Sequence, residues 1–308
     1  MSAKYGDTIV LATRSSPLAR WQTTAVREVL SKAWPELEFK IKTITTKGAR
    51  SIDQPLPEIG GKGLFTSELE DALLHREVDL AVHSLKDLPI DEAPGISVGA
   101  ILARGDARDA FVTAGKWGFD DIPSGSVVGT SSLRRQSQIL AERPDLIVLS
   151  IRGNVGTRVE KVLHGEYDAA VLAAAGLQRL GLDDHISYLM PFDRMLPAPG
   201  QGAIAVQYRK DDQRLKRILS AIDHGPTRTA VQAERTLLEG IGGGCSSPVG
   251  AYASWSEELL SLRAVVASLD GRSIIRVSAT GDDPTTLGRS LAAQALEKGA
   301  SEIVSQHD

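Results

Sequence analysis

The sequence predicts an α/β protein made of two similar lobes followed by a small α+β domain. Three observations carry that reading. Short β-branched runs alternate with segments of helical spacing, the grammar of sheets flanked by helices. The grammar occurs twice, with VDLAV (78–82) and YDAAV (167–171) at matching places in the two blocks. Beyond about Pro226 the pattern changes to a helix, three strand-like runs and another helix.

In the first block, residues 8–13 (TIVLAT) read as a buried strand. Ser16 and Pro17 then supply an N-cap and the favoured first residue of a helix. That helix runs to about Ala33, with Leu18, Trp21, Ala25, Val29 and Leu30 near helical spacing and Pro35 ending it. Residues 39–45 alternate as a strand, and the Gly/Pro-rich stretch 47–63 reads as a mobile surface loop. A helix over 64–75 and a buried strand over 78–82 follow. In the second block the strands are 126–129, 146–151 and 168–172, and the helices 133–141 and 156–163. Segments 104–108 and 191–202 read as crossings between the lobes, and 203–208 as a strand rejoining the first. Two crossings suit a hinged protein with a central cleft. The domains expected are therefore 1–103 with 201–222, then 104–200, then 223–308. The last holds a helix at 227–239, strands near 249–255, 258–268 and 273–280, and a helix at 284–298.

Composition narrows the function. With 308 residues, 42% hydrophobic and 24% charged, the chain is neither disordered nor of low complexity. A net charge of −4 argues against nucleic acid as a partner. No apolar run approaches the roughly 18 residues that span a membrane, and residues 1–7 show no basic-then-apolar leader. A cytoplasmic protein with no membrane partner is expected, and since nothing in the pattern demands association, a monomer. The single cysteine, Cys245, excludes an intramolecular disulfide and a cysteine-based zinc site, and six scattered histidines show no metal spacing. Arginine outnumbers lysine 23 to 12, and arginine is preferred where carboxylates or phosphates are gripped by paired hydrogen bonds.

Position sharpens that bias. Three strand-to-helix turns carry hydroxyls or glycines together with arginine: Thr13-Arg14-Ser15-Ser16-Pro17, Thr130-Ser131-Ser132-Leu133-Arg134-Arg135, and Arg152-Gly153-Asn154-Val155-Gly156-Thr157-Arg158. Any one of them could simply cap a helix. Three on the same edge of parallel sheets, the edge that faces a ligand in open α/β folds, point to a ligand with several anionic groups. Familiar anion motifs fail: Gly60-Gly61-Lys62-Gly63 lacks P-loop spacing, and Gly200-Gln201-Gly202 precedes a strand rather than a helix. Cys245 sits in Gly242-Gly243-Gly244-Cys245-Ser246-Ser247-Pro248, a setting for an accessible thiol rather than a core residue. His83-Ser84-Leu85-Lys86-Asp87 follows the 78–82 strand, so Asp87 is either half of a surface pair with Lys86 or a carboxylate at the floor of the cleft.

Taken together, these stretches resemble the porphobilinogen deaminase (hydroxymethylbilane synthase) family. The matching segments, in order, are ATRSSPLARWQ (12–22), GGKGLF (60–65), AVHSLKDLP (81–89), RDAF (108–111), VGTSSLRRQ (128–136), RGNVGTR (152–158), LAAAGLQRLG (172–181), LPAPGQGA (196–203) and GGGCSSPVGAY (242–252). The resemblance implies two periplasmic-binding-protein-like lobes with a third domain. It implies a dipyrromethane cofactor tied by a thioether to Cys245. It implies condensation of four porphobilinogen molecules, with loss of four ammonia, into linear hydroxymethylbilane for tetrapyrrole biosynthesis. By motif position, Lys86, Asp87, Ser131, Ser132, Arg134, Arg135 and Arg158 would hold the cofactor. Arg14, Ser16, Gln22, Lys62, Arg152, Arg158, Arg179 and Gln201 would hold substrate, with Gln22 and Gln201 at the cleft or hinge. Asp87 would be the catalytic carboxylate, stabilising the cationic azafulvene left by deamination. One departure stands out: family members often carry a lysine four residues before the Gly-Gly-Lys-Gly lysine, and here that position is Glu58. A hinged binding protein without catalysis would share the lobes but leave Cys245 and Asp87 without a task.

Overall fold

Asp79 and Asp168, the acidic residues of the two matched motifs, make the same pair of hydrogen bonds in two different sheets. The computed structural model describes residues 8–45, 66–115, 117–244 and 247–305. In chain order it begins with β1 (Thr8–Arg14), α1 (Pro17–Ala33), β2 (Glu38–Ile44), α2 (Ser67–Leu74), β3 (Leu80–Ser84) and β4 (Ile96–Ile101). Then come β5 (Asp109–Thr113), β6 (Val127–Gly129), α3 (Leu133–Glu142), β7 (Ile147–Leu149), α4 (Val155–Leu163), β8 (Ala169–Ala173), α5 (Ala174–Arg179) and β9 (Ile186–Leu189). The chain ends with β10 (Ile204–Arg209), α6 (Gln213–Ser220), α7 (Gly225–Gly240), β11 (Val249–Ser256), β12 (Leu259–Ala267), β13 (Ile274–Gly281), α8 (Pro284–Glu297) and α9 (Ala300–Val304).

The sheet orders are β2-β1-β3-β10-β4, β7-β6-β8-β5-β9 and β11-β12-β13. In the first, β1 runs parallel to β2 and β3, while β10 is antiparallel to β3 and β4. In the second, β6 runs parallel to β7 and β8, while β5 is antiparallel to β8 and β9. The two sheets thus match strand for strand, which goes further than the two similar lobes expected from the repeated grammar. The shared aspartate shows why. Val10 N–H donates to Asp79 Oδ2 at 2.9 Å and Asp79 N–H to Val10 O at 2.9 Å. Val127 N–H donates to Asp168 Oδ2 at 2.8 Å and Asp168 N–H to Val127 O at 3.0 Å. A carboxylate that accepts a backbone N–H at a sheet edge satisfies a donor the ladder leaves over. The third sheet is antiparallel and carries α7 to α9, the small α+β domain expected.

The chain divides into two compact units, 1–104 with 203–225 and 105–202 with 226–308. In the first unit, one face of the sheet packs Leu11, Leu80, Val82 and Val206 against Val26 and Leu30 of α1 and Leu215 and Leu219 of α6. The other face sets Ala12 and Ala81 against Leu69 and Leu73 of α2. In the second unit, the third sheet and the second lobe are tied through residues 191–202. Glu234 of α7, fully buried, accepts Gly200 N–H at 2.7 Å and Ala253 N–H at 2.8 Å. Ala251 N–H donates to Pro197 O at 2.9 Å, and Phe192 stacks on Tyr252 with ring centres 3.9 Å apart. Gly271, in the β12–β13 turn at φ +71°, lies so near α3 that a Cβ there would sit 2.2 Å from Ala141 N.

Six elements escaped the sequence pattern: β4, β5, β9, α5, α6 and α9. In β4 the alternation breaks at Gly99, where a Cβ would meet Leu219 Cδ1 at 2.4 Å. Strand β5 has five residues, all buried, and its register with β9 shifts at Phe111/Val112. The expected loop at 47–63 lies outside the described residues. No helix among the described residues is long and apolar enough to cross a membrane.

Candidate anion-binding and catalytic site

In the first unit the C-terminal ends of β1 and β3 open onto one pocket lined by Arg14, Ser16, Leu18, Ala19, Gln22, Thr66, Val82, His83, Ser84 and Asp87. Local sequence makes it so. Ser16 is extended at φ −64°, ψ 147°, and its Oγ accepts Ala19 N–H at 3.3 Å, capping α1, with Pro17 at the first helical position. The free N–H groups of that first turn give the pocket a partly positive wall. Gln22, one turn on, is buried, and its Nε2 donates to Ser84 Oγ at 2.8 Å. That bond fastens α1 to the end of β3. After Ser84 the chain makes a 3-10 turn over Leu85–Asp87. Leu85 is buried beneath it, and Asp87 emerges exposed at the pocket rim. Lys86 is half-buried in the same turn and does not line this pocket. His83 is buried in the wall, where burial and then the Arg14 charge push its imidazole down to about 3, opposed by the Gln207 amide. The ring is therefore neutral at any working pH.

In the second unit the turns after β6 and β7 are joined. Ser131 Oγ donates to Ile151 O at 2.7 Å and lies 2.9 Å from Ser150 Oγ. Ser132 caps α3 by accepting Arg135 N–H, and Asn154 caps α4 by accepting Thr157 N–H at 3.0 Å. Arg158 turns back on its own loop, its Nε donating to Gly153 O at 2.9 Å, and Arg152 is half-buried beside it. Ser131, Ser132, Arg152 and Arg158 thus share one end of the sheet.

Arg134 and Arg135 are placed differently from the open grip that the turn pattern suggested. Both are buried on Asp109 of β5, which is itself fully buried. Arg134 Nη1 reaches Asp109 Oδ2 at 2.7 Å and Leu196 O at 2.7 Å. Arg135 reaches Asp109 Oδ1 through Nε at 3.0 Å and Nη2 at 2.8 Å, and Val171 O through Nη1 at 2.9 Å. Gln201 completes the cluster, its Nε2 donating to Asp109 Oδ1 at 2.9 Å and Ala107 O at 2.8 Å. Burial alone would raise the Asp109 carboxyl, but the two guanidinium groups outweigh it and hold it well below the ordinary carboxylate range. Arg179 donates from Nη2 to Gly202 O at 2.6 Å, and burial lowers its pKa from the usual value. Asp109 had no part in the sequence reading. Its only signal was its place in the RDAF segment, beside an arginine-rich turn in need of a counter-charge.

Cys245 and Lys62 lie outside the described residues. The residues flanking the cysteine are pinned to each other: Gly244 N–H donates to Ser247 Oγ at 2.7 Å and Ser247 N–H to Gly244 O at 3.0 Å. Among the described residues no group of three or more His, Cys, Asp or Glu is placed to hold a metal ion.

The arrangement offers guanidinium and hydroxyl donors at several helix N-termini and a carboxylate beside one of them. Comparison with known proteins places it. Residues 9–217 match the model for the porphobilinogen deaminase dipyrromethane cofactor-binding domain, and residues 228–297 that for the porphobilinogen deaminase C-terminal domain. The porphobilinogen deaminase of Desulforudis audaxviator is 49% identical over 300 residues, covering 97% of each chain. That of Acidithiobacillus ferrooxidans is 47% identical over 294 residues, covering 96% of each. Among solved structures, the methionine-binding protein MetQ superposes with a TM-score of 0.44 at 12% identity, over 72% of this chain and 92% of that one. With both parts of the chain matched by family models and relatives near half identical over its length, the chain belongs to the porphobilinogen deaminase family.

Proposed function

We propose that the chain is a transferase that joins four porphobilinogen molecules head to tail, releasing four ammonia, to give linear hydroxymethylbilane for tetrapyrrole biosynthesis. The observation that carries this reading is the first unit's pocket, where Arg14, the capped end of α1 and the exposed carboxylate of Asp87 line one space. Porphobilinogen has two carboxylates and a basic side arm, so it needs cationic donors and an anion together. Arg14 and Ser16 bind carboxylate, and Gln22 holds the two supporting elements in register through Ser84. Asp87 stabilises the positive charge that develops as the C–N bond of bound porphobilinogen breaks and its electron pair leaves with ammonia. In the second unit Arg152, Arg158 and Arg179 are the further substrate-binding set, with Lys62 from the first; Gln201, expected there too, is instead fully buried and holds the Asp109 cluster.

The reading includes a dipyrromethane primer on Cys245, and the donor set suits such a group. Among the described residues Arg134 Nε is buried without a hydrogen-bond partner, a donor left over beside Ser131 and Ser132 in the same turn. Lys86, Asp87, Ser131, Ser132, Arg134, Arg135 and Arg158 would hold it. When bound, the primer supplies the pyrrole carbon to which units are added. Because Arg134 and Arg135 are clamped on Asp109, they serve as fixed positive charge rather than as mobile arms. We further read 1–103 with 201–222, 104–200 and 223–308 as three domains, in a cytoplasmic monomer. Intact-mass measurement tests the reading: the purified protein should carry an adduct of two linked pyrroles that Cys245→Ser abolishes, and should release ammonia from porphobilinogen. A bare chain mass, together with inertness toward porphobilinogen after reconstitution, overturns it.

A further inference from the structure

His83 has no role in the mechanism above, yet it is 5% exposed, lines the same pocket as Arg14 and Asp87, and holds a buried nitrogen with no well-formed hydrogen bond among the described residues. Among the described residues its Nε2 makes no hydrogen bond of ordinary geometry, and neither does the buried Oε1 of Gln207, although the Gln207 amide lies near enough to act on the imidazole. The two residues are diagonal neighbours on one face of β3 and β10, where His83 pairs with Ala205 and Ala81 with Gln207. The orientation of the Gln207 amide follows from its other end, because Nε2 donates to Glu70 Oε1 of α2 at 3.0 Å and a carboxylate can only accept. Gln207 Oε1 is thereby left facing the imidazole as an acceptor. A neutral imidazole has one N–H, and this acceptor draws it to Nε2. Nδ1 then carries the ring's only lone pair, on a residue that lines the pocket. The charged groups around the ring are Arg14 from β1, Asp87 from the turn after β3 and Glu70 from α2.

We propose that His83 is a positioning and specificity-determining residue, a neutral imidazole locked in the Nε2–H form whose Nδ1 accepts a hydrogen bond from the aminomethyl nitrogen of the substrate. This rests on the reading of the first unit's pocket as a porphobilinogen site. An acceptor at that wall is of no use to a carboxylate and selects a donor. The carboxylates go to Arg14 and the α1 terminus, and the ammonium arm turns toward His83. A neutral ring orients the arm without the strong hold a second carboxylate would exert on a leaving group. Glu70 and Gln207 act only through His83, as its orienting chain.

Two measurements test this. In protein labelled with 15N-histidine and assigned with His83→Asn, imidazole two- and three-bond correlations should show the Nε2–H form at pH 5 to 8. Nδ1 should shift when porphobilinogen is added, and Gln207→Leu should release the tautomer. An Nδ1–H ring, or an imidazolium at pH 6, overturns the proposal. In kinetics, His83→Leu should raise KM for porphobilinogen roughly 10- to 100-fold, the loss of a hydrogen bond to a charged group, with a much smaller change in kcat. The inhibition constant of the analogue bearing methyl in place of aminomethyl should not change. His83→Asn, whose Oδ1 replaces Nδ1, should recover most of the loss. Equal loss for substrate and analogue overturns the assignment of the nitrogen. Should His83→Leu fail to fold, the tautomer spectra and Gln207→Leu decide the matter. A parent protein that consumes no porphobilinogen sinks the functional reading instead, while the tautomer result still stands or falls separately.

Discussion

Asp109→Asn isolates the buried cluster of the second unit. The carboxylate serves two guanidinium groups from opposite oxygens, Oδ2 for Arg134 at 2.7 Å and Oδ1 for Arg135 at 2.8 Å, and Oδ1 also accepts Gln201 at 2.9 Å. An amide has one acceptor oxygen, so either way it is turned one arginine faces an NH2 group. Both arginines are almost wholly buried and keep their charge without a counter-ion. Breaking a buried ion pair by removing one partner costs about 3–5 kcal/mol. For a body of this size each kcal/mol moves the midpoint by about 2–4 °C, so the transition should fall by roughly 6–20 °C. Differential scanning calorimetry of parent and variant at pH 7 measures it. The folded carboxyl titrates below its unfolded value of about 3.9, so its contribution is complete above that pH and is lost as pH falls through the folded pKa. The gap between parent and variant should be flat from pH 5 to 8 and close in acid. Replacing the whole triad with apolar residues, Asp109→Leu with Arg134→Met and Arg135→Met, should recover most of the stability while leaving turnover impaired. A midpoint for Asp109→Asn within about 2 °C of the parent refutes the account of this cluster.

Three further changes probe other parts. Asp87→Asn keeps shape and removes charge at the pocket rim; turnover should fall about 10²–10³-fold with an unchanged melting curve, and near-normal turnover removes Asp87 from the chemistry. Glu234→Gln leaves one of two buried backbone donors, Gly200 N–H or Ala253 N–H, facing an amide nitrogen, and urea unfolding should report a loss of about 1–3 kcal/mol. Gly271→Ala puts a methyl group 2.2 Å from backbone of α3 in a left-handed conformation. It should cost about 1–3 kcal/mol and raise hydrogen exchange in both the β12–β13 turn and α3; exchange unchanged in α3 would contradict the contact.

Much of the first unit's site was legible because its signals are local. Ser16 followed by Pro17 marks a helix start, and the structure has the cap and the proline in those places. The matched aspartates 79 and 168 marked the repeat in one dimension, and in the structure they hold equivalent strands. What stayed hidden is long-range. Asp109 meets Arg134 across 25 residues and Gln201 across 92, and no spacing rule links a carboxylate to partners that distant. His83 was visible only as a letter in a motif, since its orienting amide lies on β10, which reaches it from beyond the whole second lobe. The arginine count pointed to anion chemistry but could not single out Arg134 and Arg135, which are spent on an internal carboxylate.

The place of β10 has a consequence for synthesis. Among the described residues strands β3 and β4 are joined only through β10, whose residues begin at Ile204, whereas β5 to β9 form an uninterrupted run. On the ribosome the amino-terminal sheet must wait about a hundred residues with two unpaired borders, while the middle of the nascent chain can close its own sheet as it emerges. The later lobe therefore matures first, and the earlier one is the stretch that a chaperone would need to shield.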